Sequence, residues 1–184
     1  MDKKHLILEA TLDLVTKNGF HATPMSMISK KAKVAAGTIY HHFENKEELL
    51  EALYAESKEK MGRAMQLATL TNTDYEKDFK SIWISLFIFY AENDKTFQFL
   101  EQYAQSPFIR KETKEEQRKH YEPIIKFLDQ GIKAGTLKAI GVEILTEMVH
   151  GTVASAAKIF HQNKGLNKKA IDDLAQFAWQ AAKE

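Results

Sequence analysis

The sequence predicts an all-α fold of about nine helices, and three observations predict it. Three prolines and eight glycines in 184 residues are too few for a turn-rich sheet fold. No run sustains the alternation of a half-buried strand. Apolar residues instead recur at helical spacing along the whole chain. At 44% apolar and 28% charged residues, the composition is that of a globular protein able to bury a sizeable core.

The first predicted helix runs from about Lys3 to Lys17, with Ile7, Ala10 and Leu14 on one face and Asn18-Gly19 as its C-terminal stop. Thr23-Pro24 opens the second, threonine as N-cap and proline at the first helical position, with Ile28 and Ala32 facing inward. A short third helix spans about Ala36 to His42. Asn45 caps the fourth with Glu48 completing a capping box, and Leu49, Leu50, Leu53, Tyr54, Met61 and Met65 carry it to about Ala68.

Thr73 and Glu76 repeat that spacing and open the fifth, which is apolar nearly all round from Ile82 to Ala91 and therefore central to the core. Asn93-Asp94 opens the sixth, which carries Phe97, Leu100 and Tyr103 and stops at Ser106-Pro107. The seventh spans Ile109 to Ala134, with a kink expected at Pro123. The eighth runs from about Val142 to His161 and the ninth from about Lys168 to Ala182. No internal repeat or low-complexity segment interrupts them.

Several classes are disfavoured at once. Without cysteine there is no disulfide, thiolate metal site or cysteine nucleophile, which fits a reducing cytoplasm. The start, Met1-Asp2-Lys3-Lys4-His5, lacks the pattern of a signal peptide. The uncharged stretch Ser81 to Ala91 is too short to span a bilayer, so no membrane association is expected. No acid–base pair, phosphate-cradling glycine loop or nucleophile motif points to an enzyme. The histidines outside the pair at 41 and 42 lack metal-ligand spacing, and neither a metal nor a cofactor is expected.

Charge is distributed unevenly. The net charge is +1, yet residues 14 to 43 contain Lys17, Lys30, Lys31 and Lys33 and no carboxylate. Such a window suits an anionic partner. Within it, Lys33-Val34-Ala35 joins two short helices as the turn of a helix-turn-helix. The third helix, Gly37-Thr38-Ile39-Tyr40-His41-His42, carries a hydroxyl, a phenol and two imidazoles but no acid. Thr38, Tyr40, His41, His42 and the methyl group of Ala36 are the groups available to phosphates and base edges. Without Arg, Asn or Gln for bidentate base contacts, direct base specificity should be modest and supplemented by DNA shape.

With Ile7, Ala10, Leu14, Gly19, Phe20, Thr23, Ile28, Ala32, Val34, Gly37, Thr38, Tyr40, His42, Phe43, Lys46, Glu47 and Leu49, the first fifty or so residues resemble the tetracycline-repressor (TetR/AcrR) family of bacterial regulators. The resemblance implies a helix-turn-helix DNA-binding domain at residues 1–46 and a ligand-binding and dimerisation domain at 47–184. It also implies that Thr38, Tyr40, His42 and Lys46 contact mainly phosphates. Thr23 is a further DNA-binding candidate, although its role as a helix cap competes. Lys33 stands where the family usually has glycine. At positive φ it costs about 1 kcal/mol, a penalty that a phosphate contact would offset. Ala35 replaces a capping residue and Ser29 an alanine.

The eighth helix has two apolar faces, Ile144, Met148, Gly151, Ser155 and Ile159 on one, Leu145, Val149, Ala156 and Phe160 on the other. The first face, with Leu174, Phe177, Ala178 and Ala181 of the ninth helix, is the expected homodimer interface, as the resemblance also implies. A two-fold dimer requires a palindromic double-stranded DNA operator. The resemblance further implies an effector pocket in the aromatic-rich middle, with Trp83, Phe87, Tyr90, Phe99, Tyr103, Tyr121, Met148 and His150 as lining candidates. No arginine occurs between Arg63 and Arg110, and Glu92 and Glu101 flank the aromatics. These features favour a small apolar effector, neutral or cationic. Arg110, Lys111 and Lys114 leave an anionic one, such as an acyl thioester, open. The expected function is transcriptional repression relieved by that effector; the alternative is a constitutive architectural or partner-binding DNA protein without one.

Overall fold

Helical periodicity becomes helix along nearly the whole chain. The computed structural model describes residues 2–68, 70–71 and 73–184. Among them are ten α-helices: α1 Lys3–Asn18, α2 Met25–Ala32, α3 Ala36–His42, α4 Lys46–Gln66, α5 Tyr75–Glu92, α6 Asp94–Ala104, α7 Lys111–Gln117, α8 Glu122–Lys133, α9 Val142–Gln162 and α10 Lys168–Ala182. A short 3₁₀ turn, Arg118–His120, lies between α7 and α8.

The tenth helix comes from a break, not a kink. Pro123 sits in the first turn of α8, where its missing N–H is not needed, so the chain ends one helix and starts another. Two predicted caps also move. Asp74, rather than Thr73, caps α5 by accepting from the Lys77 N–H at 3.0 Å. Thr23 does not cap α2: it turns inward, fully buried, and donates to the carbonyls of Leu14 at 3.3 Å and Gly19 at 2.9 Å. The capping box of α4 forms, with Asn45 Oδ1 accepting from the Glu48 N–H at 2.9 Å while the Glu48 carboxylate accepts from the Glu44 N–H.

The chain divides into two compact units. One comprises residues up to Glu59 together with Asp94–Gln117; the other comprises Lys60–Asn93 and Arg118–Glu184. In the first, α1 packs against α2, α3 and α6. Ile7, Val15, Ile28, Ile39, Phe43, Leu49, Leu50 and Leu53 are buried. The Phe20 ring lies edge-on to Phe99, Tyr103 and Phe108 at centroid distances of 5.8 to 6.2 Å. Asp13 receives both Lys31 and Lys95, and those cations, Lys95 foremost, hold its carboxyl below the usual range.

In the second unit, α5 packs against α9 and α10, and α8 against α9. Trp83, Phe87, Tyr90, Leu145, Val153, Ala156, Ala157 and Ala175 form its interior. Gly131 matters here because a Cβ would collide with the Tyr75 ring, whose hydroxyl donates to the Phe127 carbonyl at 2.5 Å.

Candidate nucleic-acid interface

The turn between α2 and α3 reverses the chain by left-handed backbone. Lys33 sits at φ 56°, ψ 40°, the conformation expected of the glycine it replaces. Its N–H and that of Val34 close the end of α2 onto the Lys30 and Ser29 carbonyls. Ala35 precedes α3 in extended backbone and supplies no side-chain cap. Three apolar anchors then fix α3: Ile28 and Ile39 are buried, and Phe43 ends the helix inside the core.

Those anchors turn the other face of α3 outward. Tyr40 is 56% exposed, and Ala36, Gly37 and His41 are exposed, with Thr38 and His42 half-buried. The His41 and His42 rings meet edge-to-face at 5.4 Å. With Gly37 and Thr38 they border an open cleft whose other wall is Asp2 and Lys3 at the start of α1. Asp2, Lys3 and Gly37 are not among the contacts expected from the sequence. Asp2 is the N-cap of α1, a role visible in the sequence only once the helix start is known to one residue. Lys4 lies over the Phe43 ring at 5.8 Å.

The other expected contacts are placed differently. Lys46 is half-buried in the first turn of α4, and its ammonium donates to the Phe20 carbonyl. Burial lowers its pKa from the ordinary lysine value. Thr23 is corrected: its hydroxyl is spent on two carbonyls inside the fold, out of reach of a phosphate. Lys17, Lys30 and Lys33 are exposed, whereas Lys31 is paired with Asp13 at 3.3 Å, which removes one charge from the free basic face.

The expected dimerisation residues separate in the same way. Ile144 (58% exposed), Met148 (63%), Gly151, Ser155 and Ile159 form an outward stripe on α9. Phe177, 66% exposed, and Ala181 do so on α10, with Leu174 half-buried. Ala178 is corrected: at 1% exposure it faces the interior, because the inward stripe of α10 already contains Ala175 and Trp179.

The expected effector residues fall in both units. Phe99 and Tyr103 lie buried in the first unit, where they stack at 5.3 Å around Phe20; burial pushes the Tyr103 phenol up to about 12. Met148 faces outward. Trp83, Phe87, Tyr90, Tyr121 and His150 belong to the second unit. There Trp83 Nε1 donates to Thr152 Oγ1 at 2.8 Å, and the Tyr90 hydroxyl lies 2.8 Å from His150 Nε2. Among the described residues, no group of His, Asp or Glu could hold a metal ion.

A buried apolar helix-turn-helix scaffold that presents an exposed, acid-free α3 defines a DNA-binding protein. Comparison with known proteins narrows the class. Residues 7–53 match the model of bacterial regulatory proteins of the tetR family, and residues 74–183 match the tetracyclin repressor-like C-terminal domain. The chain belongs to this family and is a DNA-binding transcriptional regulator, not an enzyme.

It is 30% identical over 153 residues to a fatty acid metabolism regulator protein of Bacillus subtilis, covering 80% of this chain and 77% of that one. A tetR-family transcription regulator from Shewanella sp. PV-4 superposes with a TM-score of 0.92 at 27% identity, over 100% of both chains. The fold is shared with the transcriptional regulator FadR from Bacillus subtilis in complex with stearoyl-CoA, at TM-score 0.71 and 21% identity, over 96% of this chain and 95% of that one. No helix among the described residues is long and apolar enough to cross a membrane.

Proposed function

We propose that this regulator is a homodimeric repressor that binds a palindromic operator and releases it when a small apolar effector binds. Residues 1–46 read DNA, and residues 47–184 hold the effector and the partner subunit. The observation that carries the reading is the outward apolar stripe of α9 and α10, with Ile144, Met148 and Phe177 each more than half exposed. A lone subunit gains nothing from such a surface. A second copy covers it by two-fold symmetry and thereby fixes the spacing of two α3 helices, which in turn requires a palindrome. Thr38, Tyr40, His41 and His42 meet phosphates and base edges, and Ala36, Lys33 and Lys46 flank them. The helix dipole of α4 adds to the attraction.

The first effector to test is a long-chain acyl thioester. Its support is the likeness to a fatty acid metabolism regulator and the shared fold with a stearoyl-CoA complex. The aromatic interior of the second unit suits an acyl chain, and Tyr90 and His150 offer polar handles. Release is a population shift, limited by the effector's differential affinity for the two states.

A mobility-shift assay with DNA flanking the gene, repeated with acyl thioesters and lipophilic cations, tests both claims. Retarded DNA released by an acyl thioester supports the full reading. Release by the cation alone reverses the ligand class, and retardation that no compound relieves leaves a constitutive DNA protein.

A further inference from the structure

Two imidazoles stand side by side on the face of α3 that meets DNA, and their charge is a property separate from their reach. The His41 and His42 rings, 5.4 Å apart, end α3 and border the open cleft toward α1. Among the described residues, neither ring has a hydrogen-bond or ion-pair partner; their neighbours are each other and the Phe43 ring. The other histidines of defined contact are committed. His5 lies between Glu9 at 3.3 Å and Glu56 at 3.7 Å, His150 meets the Tyr90 hydroxyl, and His161 meets the Tyr90 carbonyl.

The charged surroundings of the pair are few. From α1, Asp2 and Lys3 face it across the cleft, and α2 contributes no lining residue. The Asp2 carboxylate is engaged as the cap of α1, accepting from the Lys4 N–H at 3.1 Å. Lys4 lies over the Phe43 ring, and Glu44 follows α3 as an exposed carboxylate. A neutral imidazole offers one N–H and one lone pair, whereas an imidazolium offers two N–H groups and a full charge. A phosphate diester only accepts, so it selects the imidazolium. Histidine is also the side chain whose ordinary charge change falls between pH 5 and 8, a range in which ordinary lysines stay charged. A phosphate brought against these rings therefore draws protons from solvent onto the imidazole nitrogens. By reciprocity, those protons tighten the hold on the phosphate.

We propose that operator binding takes up protons through His41 and His42, so that this regulator grips DNA more tightly as pH falls from about 8 to 6. The inference rests on the reading that α3 meets phosphates and adds to it a response to acidity that needs no effector.

The test measures the affinity of the full chain for a duplex of the DNA flanking its own gene, by fluorescence anisotropy at fixed ionic strength. Binding at pH 6 should be at least about tenfold tighter than at pH 8. The double variant His41→Gln/His42→Gln retains polar donors but cannot gain charge, and it should lose that ratio whatever its absolute affinity. His5→Gln, altered at a ring outside the cleft, should keep the ratio. Calorimetry of the unaltered protein with the same duplex at pH 7, in PIPES and in imidazole buffer, reads the uptake directly from the difference in buffer heat. About one proton or more per dimer is expected. Equal affinity at the two pH values, zero uptake, or a response that the double variant retains overturns the proposal while leaving the phosphate contacts of α3 in place. Absence of binding at both pH values overturns the two together.

Discussion

Two surfaces of this regulator are left without partners inside the subunit, and they are opposite in chemistry. The outer face of α3 presents a phenol, imidazoles and a hydroxyl over a scaffold buried through Ile28, Ile39 and Phe43. The outer stripe of α9 and α10 presents Ile144, Met148, Ile159 and Phe177. The first surface suits a hydrated polyanion and the second an apolar copy of itself. Their energetics should therefore respond to solvent in different ways. Counterion release makes the first sensitive to salt, whereas hydrophobic burial makes the second nearly indifferent.

The largest expected effect exploits that contrast. Raising salt from about 50 to 200 mM should weaken operator binding about a thousandfold if each dimer contacts six or more phosphates. Over the same range the sedimentation behaviour of the proposed dimer should hardly change. An equal salt response of both equilibria would erase the distinction.

Next in size is Phe177→Asp. A charge placed in the apolar stripe should weaken self-association by about 3 to 5 kcal/mol, giving monomers in sedimentation with unchanged helix content. DNA affinity falls with it, because the half-sites are no longer read together. A dimeric Phe177→Asp protein would place the interface elsewhere.

Within the head, Tyr40→Ala and Ile39→Ala separate contact from scaffold. Tyr40→Ala should cost about tenfold in operator affinity, about 1.4 kcal/mol, with no change in Tm. Ile39→Ala should instead lower stability by about 2 to 5 kcal/mol through loss of packing. Equal losses of stability in both would show that Tyr40 belongs to the scaffold.

Lys33→Gly should raise stability by about 1 kcal/mol in chemical denaturation, since glycine relieves the left-handed backbone at φ 56°. Operator affinity should drop modestly as a phosphate partner is lost. The smallest effect concerns Asp13. Its depressed pKa in the folded state means that its contribution is present above the ordinary carboxylate range and is lost as pH falls through the folded value. For a pair this exposed the contribution is below about 1 kcal/mol. Asp13→Asn should therefore lower stability slightly at neutral pH and leave it unchanged in strong acid.

Much of this molecule could be read from its residues because the decisive interactions are local. The Asn45–Glu48 cap, the left-handed Lys33 and the uncapped Ala35 all concern neighbours within a turn. The two faces of α9 follow from helical periodicity alone: Leu145 and Ala156 lie inside while Met148 and Ser155 lie outside. The family motif at residues 37–46 is equally local, so the DNA-binding class was available without coordinates.

Tertiary structure decided what lies far apart in sequence. An aromatic residue reads the same whether it packs a core or lines a site, so only the fold could assign Phe99 and Tyr103 to the ring cluster around Phe20, about 80 residues away in the chain. Thr23 had satisfied its hydroxyl inside the fold, and only the packing of the loop onto α1 revealed this. The Arg110–Glu51 pair and the unpaired Gln117 oxygen have no sequence signature, because periodicity encodes which face of a helix turns inward but not which distant side chain it meets there.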